Sequence, residues 1–280
     1  MSMLAPDEID DALRAVGRAE SRTMLLDTES LRRFSLAIGG DGNVEDKRPV
    51  LAHWAWFLPM PTDAEIGEDG HPRRGGFLPA LPSLPRRMFA STKMRFDGAL
   101  QLDCEATLTA TVADVTHKNG TTGDLVFVDV ERVVEQGGAV CVSERQTLVY
   151  RAPGEGAPMP LPVREPGADE APEGGVVFTP GTPNLFRFSS VTFNSHRIHY
   201  DLPYATQEEG YPSLVVHGPL LASRLAELAA KEGSLETFAF RAQAPCFVDQ
   251  PVRLARSGGG EFQAIRCDGA VAATVKATYR

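Results

Sequence analysis

Tyr211-Pro212-Ser213-Leu214-Val215-Val216-His217-Gly218-Pro219 is an apolar run that drives into a Gly-Pro pair, and the residues behind it decide the fold. Proline is tolerated in the first turn of a helix. Leu221, Leu225 and Leu228 follow at i, i+4 and i+7, the apolar stripe of a helix over residues 219–231 that buries one face. Strand-like runs come next at 237–242, 251–256, 261–267 and 270–279, and Gly258-Gly259-Gly260 and Asp268-Gly269 supply hairpin turns. Just upstream lies Phe193-Asn194-Ser195-His196-Arg197-Ile198-His199-Tyr200-Asp201. Together the two stretches hold three histidines, an arginine and an asparagine beside apolar residues. A buried polar group is costly unless paired, so an active site is expected here.

Moving outward, the first half repeats this order of elements. Residues 6–38 read as two helices. Asp7 and Glu8 open the first, with Leu13 and Val16 on its apolar face, and the second covers 21–38 until Gly39-Gly40 ends it. The aromatic run from Leu51 to Leu58, with Trp54, Trp56 and Phe57, is expected to be buried as this half's central apolar helix. Residues 59–86, rich in proline and glycine, read as an irregular loop. From 87 to 151 the alternation of Thr107-Leu108-Thr109-Ala110-Thr111-Val112 and Val126-Phe127-Val128-Asp129-Val130-Glu131 predicts an antiparallel meander. Asn119-Gly120 and Gly137-Gly138 are its turns. The domains are therefore 1–150, a proline- and glycine-rich linker at 151–180, and 181–280.

Composition excludes several classes of function. Hydrophobic content of 42% and charged content of 23% are ordinary for a globular chain, and the net charge of −9 argues against a nucleic-acid partner. No run approaches the ~18 apolar residues that span a membrane, and residues 1–18, polar and acidic, lack the apolar region expected of a signal peptide. Cytoplasmic residence is the expectation. Cys104, Cys141, Cys246 and Cys267 are widely spaced, which predicts reduced thiols rather than metal ligands. No phosphate-cradling glycine fingerprint or serine nucleophile elbow is present.

An apolar helix wrapped by antiparallel strands, twice over, is similar to a double hotdog, an α+β fold with two antiparallel sheets each wrapping a central helix. The second half resembles the MaoC-like hydratases and dehydratases, which act on acyl thioesters of coenzyme A. Their Gly-Asp-x-Asn-Pro-x-His motif places its last histidine on His199, its aspartate on Asn194 and its proline on Arg197, and a later His-Gly falls on His217-Gly218. The wider pattern Phe-Asn-x-His-Arg-Ile-His-Tyr-Asp with Glu-Gly-Tyr-Pro-x-Leu-Val-Val-His-Gly-Pro, together with Leu84-Pro85-Arg86-Arg87-Met88-Phe89, resembles the subgroup that hydrates mesaconyl-CoA and itaconyl-CoA. The resemblance covers roughly 50–150 and 180–280. It implies a 1–150 half that is a degenerate hotdog, with only His53 in its helix region, and a catalytic 181–280 half. It implies no metal, no cofactor beyond the coenzyme A of the substrate, and a homodimer.

Adding water to an α,β-unsaturated thioester needs an oriented water, a proton shuttle and charge stabilisation. His199 is the expected shuttle, since imidazole titrates near working pH. An amide cannot act as a base, so Asn194 either orients the water alone or leaves a nearby carboxylate, Asp201, to supply the missing charge. The first account is preferred. The Gly218 N–H, at a helix start, is the expected oxyanion donor. Arg197 would pair with a second substrate carboxylate, or else with Glu208 or Glu209. Arg86 and Arg87 are candidates for coenzyme A contacts, and His217 is expected to be structural. A hotdog thioesterase and a non-catalytic acyl-CoA binding protein are the competing readings.

Overall fold

Valines on alternate positions bury one face of a strand and expose the other, and long strands built this way carry the computed structural model, which describes residues 4–120, 123–153 and 159–280. The N-terminal half contributes α1 (Pro6–Leu13), β1 (Ala19–Leu25), α2 (Thr28–Ala37), β2 (Arg86–Phe96), β3 (Glu105–Gly120), β4 (Gly123–Gln136) and β5 (Ala139–Arg151). The C-terminal half contributes β6 (Val176–Phe178), α3 (Thr182–Val191), α4 (Gly218–Ala229), β7 (Leu235–Ala242), β8 (Val252–Gly258), β9 (Glu261–Ile265) and β10 (Val271–Tyr279). The strands form one antiparallel sheet in the order β1-β3-β4-β5-β2-β7-β10-β9-β8-β6. The two half-sheets thus meet edge to edge. Their seam pairs Ser91–Arg95 of β2 with Thr237–Arg241 of β7, and Phe89 stacks on Phe240 across it with ring centroids 5.9 Å apart.

The helix α4 lies in the core as its periodicity predicts. Leu221, Leu225 and Leu228 are buried, and so are Leu220, Ala222, Ala226 and Ala229 on the remaining faces. It also ties the halves together: Glu227 accepts a hydrogen bond from the Val50 N–H at 2.8 Å, and Arg224 donates to the Ile38 carbonyl at 2.8 Å. α2 packs on α3 through Phe34 and Phe188. α3 is not among the helices expected from the sequence, and its start is closed by the Asn184 side chain accepting from the Gly181 N–H.

Several expectations need correction in the N-terminal half. The helix expected over 21–38 is β1 followed by α2. β1 is an exposed edge strand held by β3, where Thr23 and Thr107 share a 2.7 Å hydrogen bond, and α2 starts only where the Asp27 carboxylate caps the Ser30 N–H. α1 buries Ala12 and the turn after it buries Ala15, while Leu13 and Val16 are exposed, because the helix stops at Leu13 and the inward face lies one residue earlier. The central helix expected around Trp54 is a single 3₁₀ turn, Ala52–Ala55, although the aromatic run is buried as anticipated. Asn119 and Gly120, expected as a turn, remain in the ladder opposite Asp124 and Gly123, and residues 121 and 122 lie outside the described residues. Gly137-Gly138, both at positive φ, does turn the chain between β4 and β5. The described part of the linker lies along the C-terminal half, with Glu165 N–H donating to the Cys267 carbonyl and Gln250 to the Pro162 carbonyl. No helix among the described residues is long and apolar enough to cross a membrane.

Candidate active site

The motif segment is folded by its own polar side chains. The Asn194 carboxamide oxygen accepts from the His196 N–H at 3.0 Å, an Asx turn. A 3₁₀ turn over Arg197–His199 then swings His199 inward. The run before α4 receives it: Val215 N–H donates to the Ile198 carbonyl at 3.0 Å, and the His199 Nδ1 donates to the Val215 carbonyl at 2.7 Å. A carbonyl can only accept, so the proton sits on Nδ1 and Nε2 keeps its lone pair. Burial pulls the His199 pKa down to about 4, and the ring is neutral at neutral pH.

His217 stacks on His199 with centroids 3.5 Å apart, and its Nε2 lies 2.8 Å from the Ser189 hydroxyl of α3. Burial and the neighbouring imidazoles hold it well below the usual histidine range. Gly218 follows as the first residue of α4. Its N–H has no backbone acceptor among the described residues, the condition that makes a helix start receptive to negative charge. A Cβ at this position would stand 3.3 Å from the Phe89 ring, so glycine serves close packing here.

One part of the site was not legible as such. The loop at 59–86 carries Asp69 and His71 across to the motif segment. Arg197 N–H donates to the Asp69 carbonyl at 2.9 Å, the Ser195 hydroxyl to the Gly70 carbonyl at 2.5 Å, and the Arg197 guanidinium to the Glu68 carbonyl at 3.0 Å. Gly70 has φ +85, and a Cβ there would lie 1.9 Å from the Ser195 carbonyl oxygen. Asp69 turns both oxygens on His71, one 3.0 Å from its N–H and the other 3.1 Å from Nδ1. His71 then lies over His196 with centroids 3.9 Å apart, and His196 meets His199 edge-on at 5.4 Å. Four of the chain's six histidines therefore converge. A histidine inside an otherwise featureless glycine-rich loop was the available signal.

Burial lowers the His71 pKa to about 4 against the opposing pull of Asp69. Burial also lowers His196, helped by the adjacent His71 and His199. For Asp69, burial works upward and is outweighed by the His71 contacts, which keep the carboxyl ionised. The donor atoms of Asp69, His71 and His196 lie within 4.8 Å of one another. Nδ1 of His71 is engaged by Asp69, and the His71 and His196 rings are tilted 35° to one another.

The arginines divide differently from their expected roles. Arg197 reaches Asp201 through Nε and Nη2 at 2.9 and 2.7 Å, and lies over the Tyr204 ring at 4.2 Å. Asp201 is thereby occupied by Arg197. Glu209, a sequence candidate for Arg197, pairs instead with Arg86 at 2.7 Å, and Arg86 also donates to the Glu208 carbonyl. Arg87 has no carboxylate partner among the described residues. Its charge acts on His71, His196 and the buried Tyr150.

Comparison with known proteins gives the family and the fold. The sequence matches the family of hydroxyacyl-thioester dehydratases type 2 over residues 51–248. It is 45% identical over 238 residues to a mesaconyl-C(4)-CoA hydratase of Chloroflexus aurantiacus, covering 83% of this chain and 84% of that protein. The fold superposes on a MaoC-like dehydratase of Phytophthora capsici with a TM-score of 0.65 at 16% identity, over 97% of this chain and 99% of the other. It also superposes on a Mycobacterium tuberculosis protein described as a double hotdog, with a TM-score of 0.53 at 10% identity over 94% and 95% of the two chains.

Proposed function

Because this chain belongs to the hydroxyacyl-thioester dehydratase type 2 family, we propose that it adds water reversibly across an α,β-unsaturated acyl-CoA thioester, with a branched dicarboxylyl-CoA such as mesaconyl-CoA or itaconyl-CoA as substrate. The enzyme is a hydro-lyase of coenzyme A thioesters. The observation that carries the reading is His199, whose Nδ1–H is fixed on the Val215 carbonyl while its ring stacks beside the residue that opens α4.

Each step follows from a group with one open valence for hydrogen bonding. The His199 Nε2 takes a proton from water as the oxygen bonds to the β-carbon. The π electrons shift towards the thioester oxygen, where the Gly218 N–H stabilises the enolate, a contribution of ~3 kcal/mol for donors of this kind. The same proton returns from Nε2 to the α-carbon, and His199 is neutral again. The Asn194 oxygen is engaged by His196, so its amide nitrogen is the group that orients the water. Arg87, a cation without a carboxylate partner among the described residues, takes the substrate's free carboxylate in this reading, while Arg197 stays with Asp201. Arg86 steadies the turn at Glu208 and Glu209 on the coenzyme side. A homodimer in the cytoplasm completes the reading, and light scattering on the full chain checks the oligomeric part.

Purified protein is incubated with crotonyl-CoA, both mesaconyl-CoA isomers and itaconyl-CoA, and the products are weighed by mass spectrometry. A gain of one water on the dicarboxylyl thioesters is expected. Release of free coenzyme A without hydration would replace this reading by a thioesterase.

A further inference from the structure

Two halves of the chain meet at the imidazole cluster, and the contribution of the N-terminal half is a built one. Three hydrogen bonds fasten Glu68, Asp69 and Gly70 to Ser195 and Arg197, although about 125 residues of chain separate them. Gly70 is the residue that lets the two backbones touch. The fastening carries Asp69, whose carboxylate accepts from both nitrogens that His71 can offer it, the backbone N–H and Nδ1.

His71 and His199 then have the same electronic arrangement. Each gives its Nδ1 proton to a fixed oxygen, of Asp69 in one case and Val215 in the other. Each keeps a lone pair on an Nε2 for which no protein donor exists among the described residues. A water molecule has two hydrogens to give and a lone pair with which to attack, which matches two such acceptors. We infer that His71 is a second catalytic base-side residue of the hydration site: its Nε2 accepts one hydrogen of the attacking water while His199 takes the other as the transferred proton. This rests on the hydratase reading.

The balance is that of the single-proton shuttle already described. The O–H bond facing His199 breaks, the O–C bond forms at the β-carbon, and the proton passes through His199 to the α-carbon. The O–H facing His71 stays intact and becomes the product hydroxyl. Asp69 is a positioning residue that fixes the His71 tautomer and places one negative charge beside that ring. The charges around His71 are Asp69 and Arg74 from its own loop, Arg87 from β2, and His196 and His199 from the motif segment. Asp69 is the anion among them.

The test uses the full chain and whichever panel substrate it hydrates. His71→Phe keeps a ring over His196 without the nitrogens, and Asp69→Asn keeps the backbone contacts without the charge. His71→Phe is expected to lower kcat ~10²-fold with KM changed less than about threefold. Asp69→Asn is expected to lower kcat ~10-fold and to move the acidic limb of the kcat profile to lower pH, since the anion that favours an imidazolium is gone. Retention of more than half of kcat by both variants, or loss confined to KM, overturns the inference and leaves the loop a clamp. Activity abolished by EDTA and restored by Zn²⁺ alone also overturns it. Nitrogen-15 NMR of the histidine rings gives a readout independent of turnover. Nδ1–H tautomers at both His71 and His199 support the assignment, and an Nε2–H tautomer at His71 overturns it. A parent protein that hydrates nothing in the panel counts against the hydratase reading instead, and the tautomers still decide the role of His71.

Discussion

Each half of the molecule buries a histidine on a 3₁₀ turn, and the two differ in what that histidine faces. In the N-terminal half His53 meets Glu144, whose side chain is fully buried. Glu144 also accepts from Trp54 at 3.1 Å, Thr92 at 2.8 Å and Gln146 at 2.8 Å, and Arg132 stands 3.5 Å away. Burial would raise this carboxyl, yet His53, Arg132 and the other donors hold it down at about 2. Every oxygen is used. In the C-terminal half His199 is anchored on one nitrogen only and the other stays available. His53 also leaves one nitrogen, Nδ1, without a hydrogen-bond partner, so what separates the two clusters is the group each histidine faces: a buried carboxylate saturated with donors for His53, a neutral backbone carbonyl just ahead of the start of α4 for His199.

The largest expected break in this contrast is His199→Ala, which should lose ~10²–10⁴-fold in kcat while unfolding in urea like the parent. Next, Glu144→Ala should cost about 3–5 kcal/mol of stability by stranding buried His53 and Arg132, with turnover per folded molecule unchanged. A Glu144→Ala protein of parental stability but no activity would mean the N-terminal cluster also does chemistry. Arg87→Ala should weaken kcat/KM on dicarboxylyl thioesters by about 10–100-fold, the worth of a hydrogen-bonded charge, and leave crotonyl-CoA little affected. Arg197→Ala should lower both substrates by the same factor.

Acid should separate the two clusters by pH window. His71 and His199 have folded pKa values near 4 against about 6.5 in the unfolded chain. Between those values the unfolded chain binds protons that the folded one does not, so stability falls as pH drops from 6.5 towards 4. The slope is about 1.4 kcal/mol per pH unit for each histidine. Glu144 is depressed instead from an ordinary carboxylate value, so its contribution is present above about pH 4.5 and disappears as pH falls through 2. Urea titrations at stepped pH should show the upper slope reduced in His71→Phe and the lower one reduced in Glu144→Gln.

Where local pattern governs, the sequence was readable. The leucines of α4 and the alternating valines of β4 fix buried faces by periodicity alone, and the turn at Gly137-Gly138 follows from its positive φ values. β1 was not readable, because Ala19–Leu25 is exposed on nearly all positions and has no alternation to show. Its strand form comes from hydrogen bonds to β3. The motif histidines could be found because they sit in a recognisable run. Asp69 and His71 could not, since their place depends on a contact across more than a hundred residues and the loop around them has no period. Arg197 looked like a pocket residue until the 3₁₀ turn brought Asp201 four residues on into its reach.

The crossing at Gly70 gives the site a clearance that can be stated in atoms. With a carbonyl oxygen where a methyl carbon would have to fit, the spacing between the loop and the motif is gauged by backbone against backbone, with no flexible side chain between them to absorb error. Alanine at position 70 would act as a shim one carbon thick, and every nitrogen carried on the loop would be displaced together.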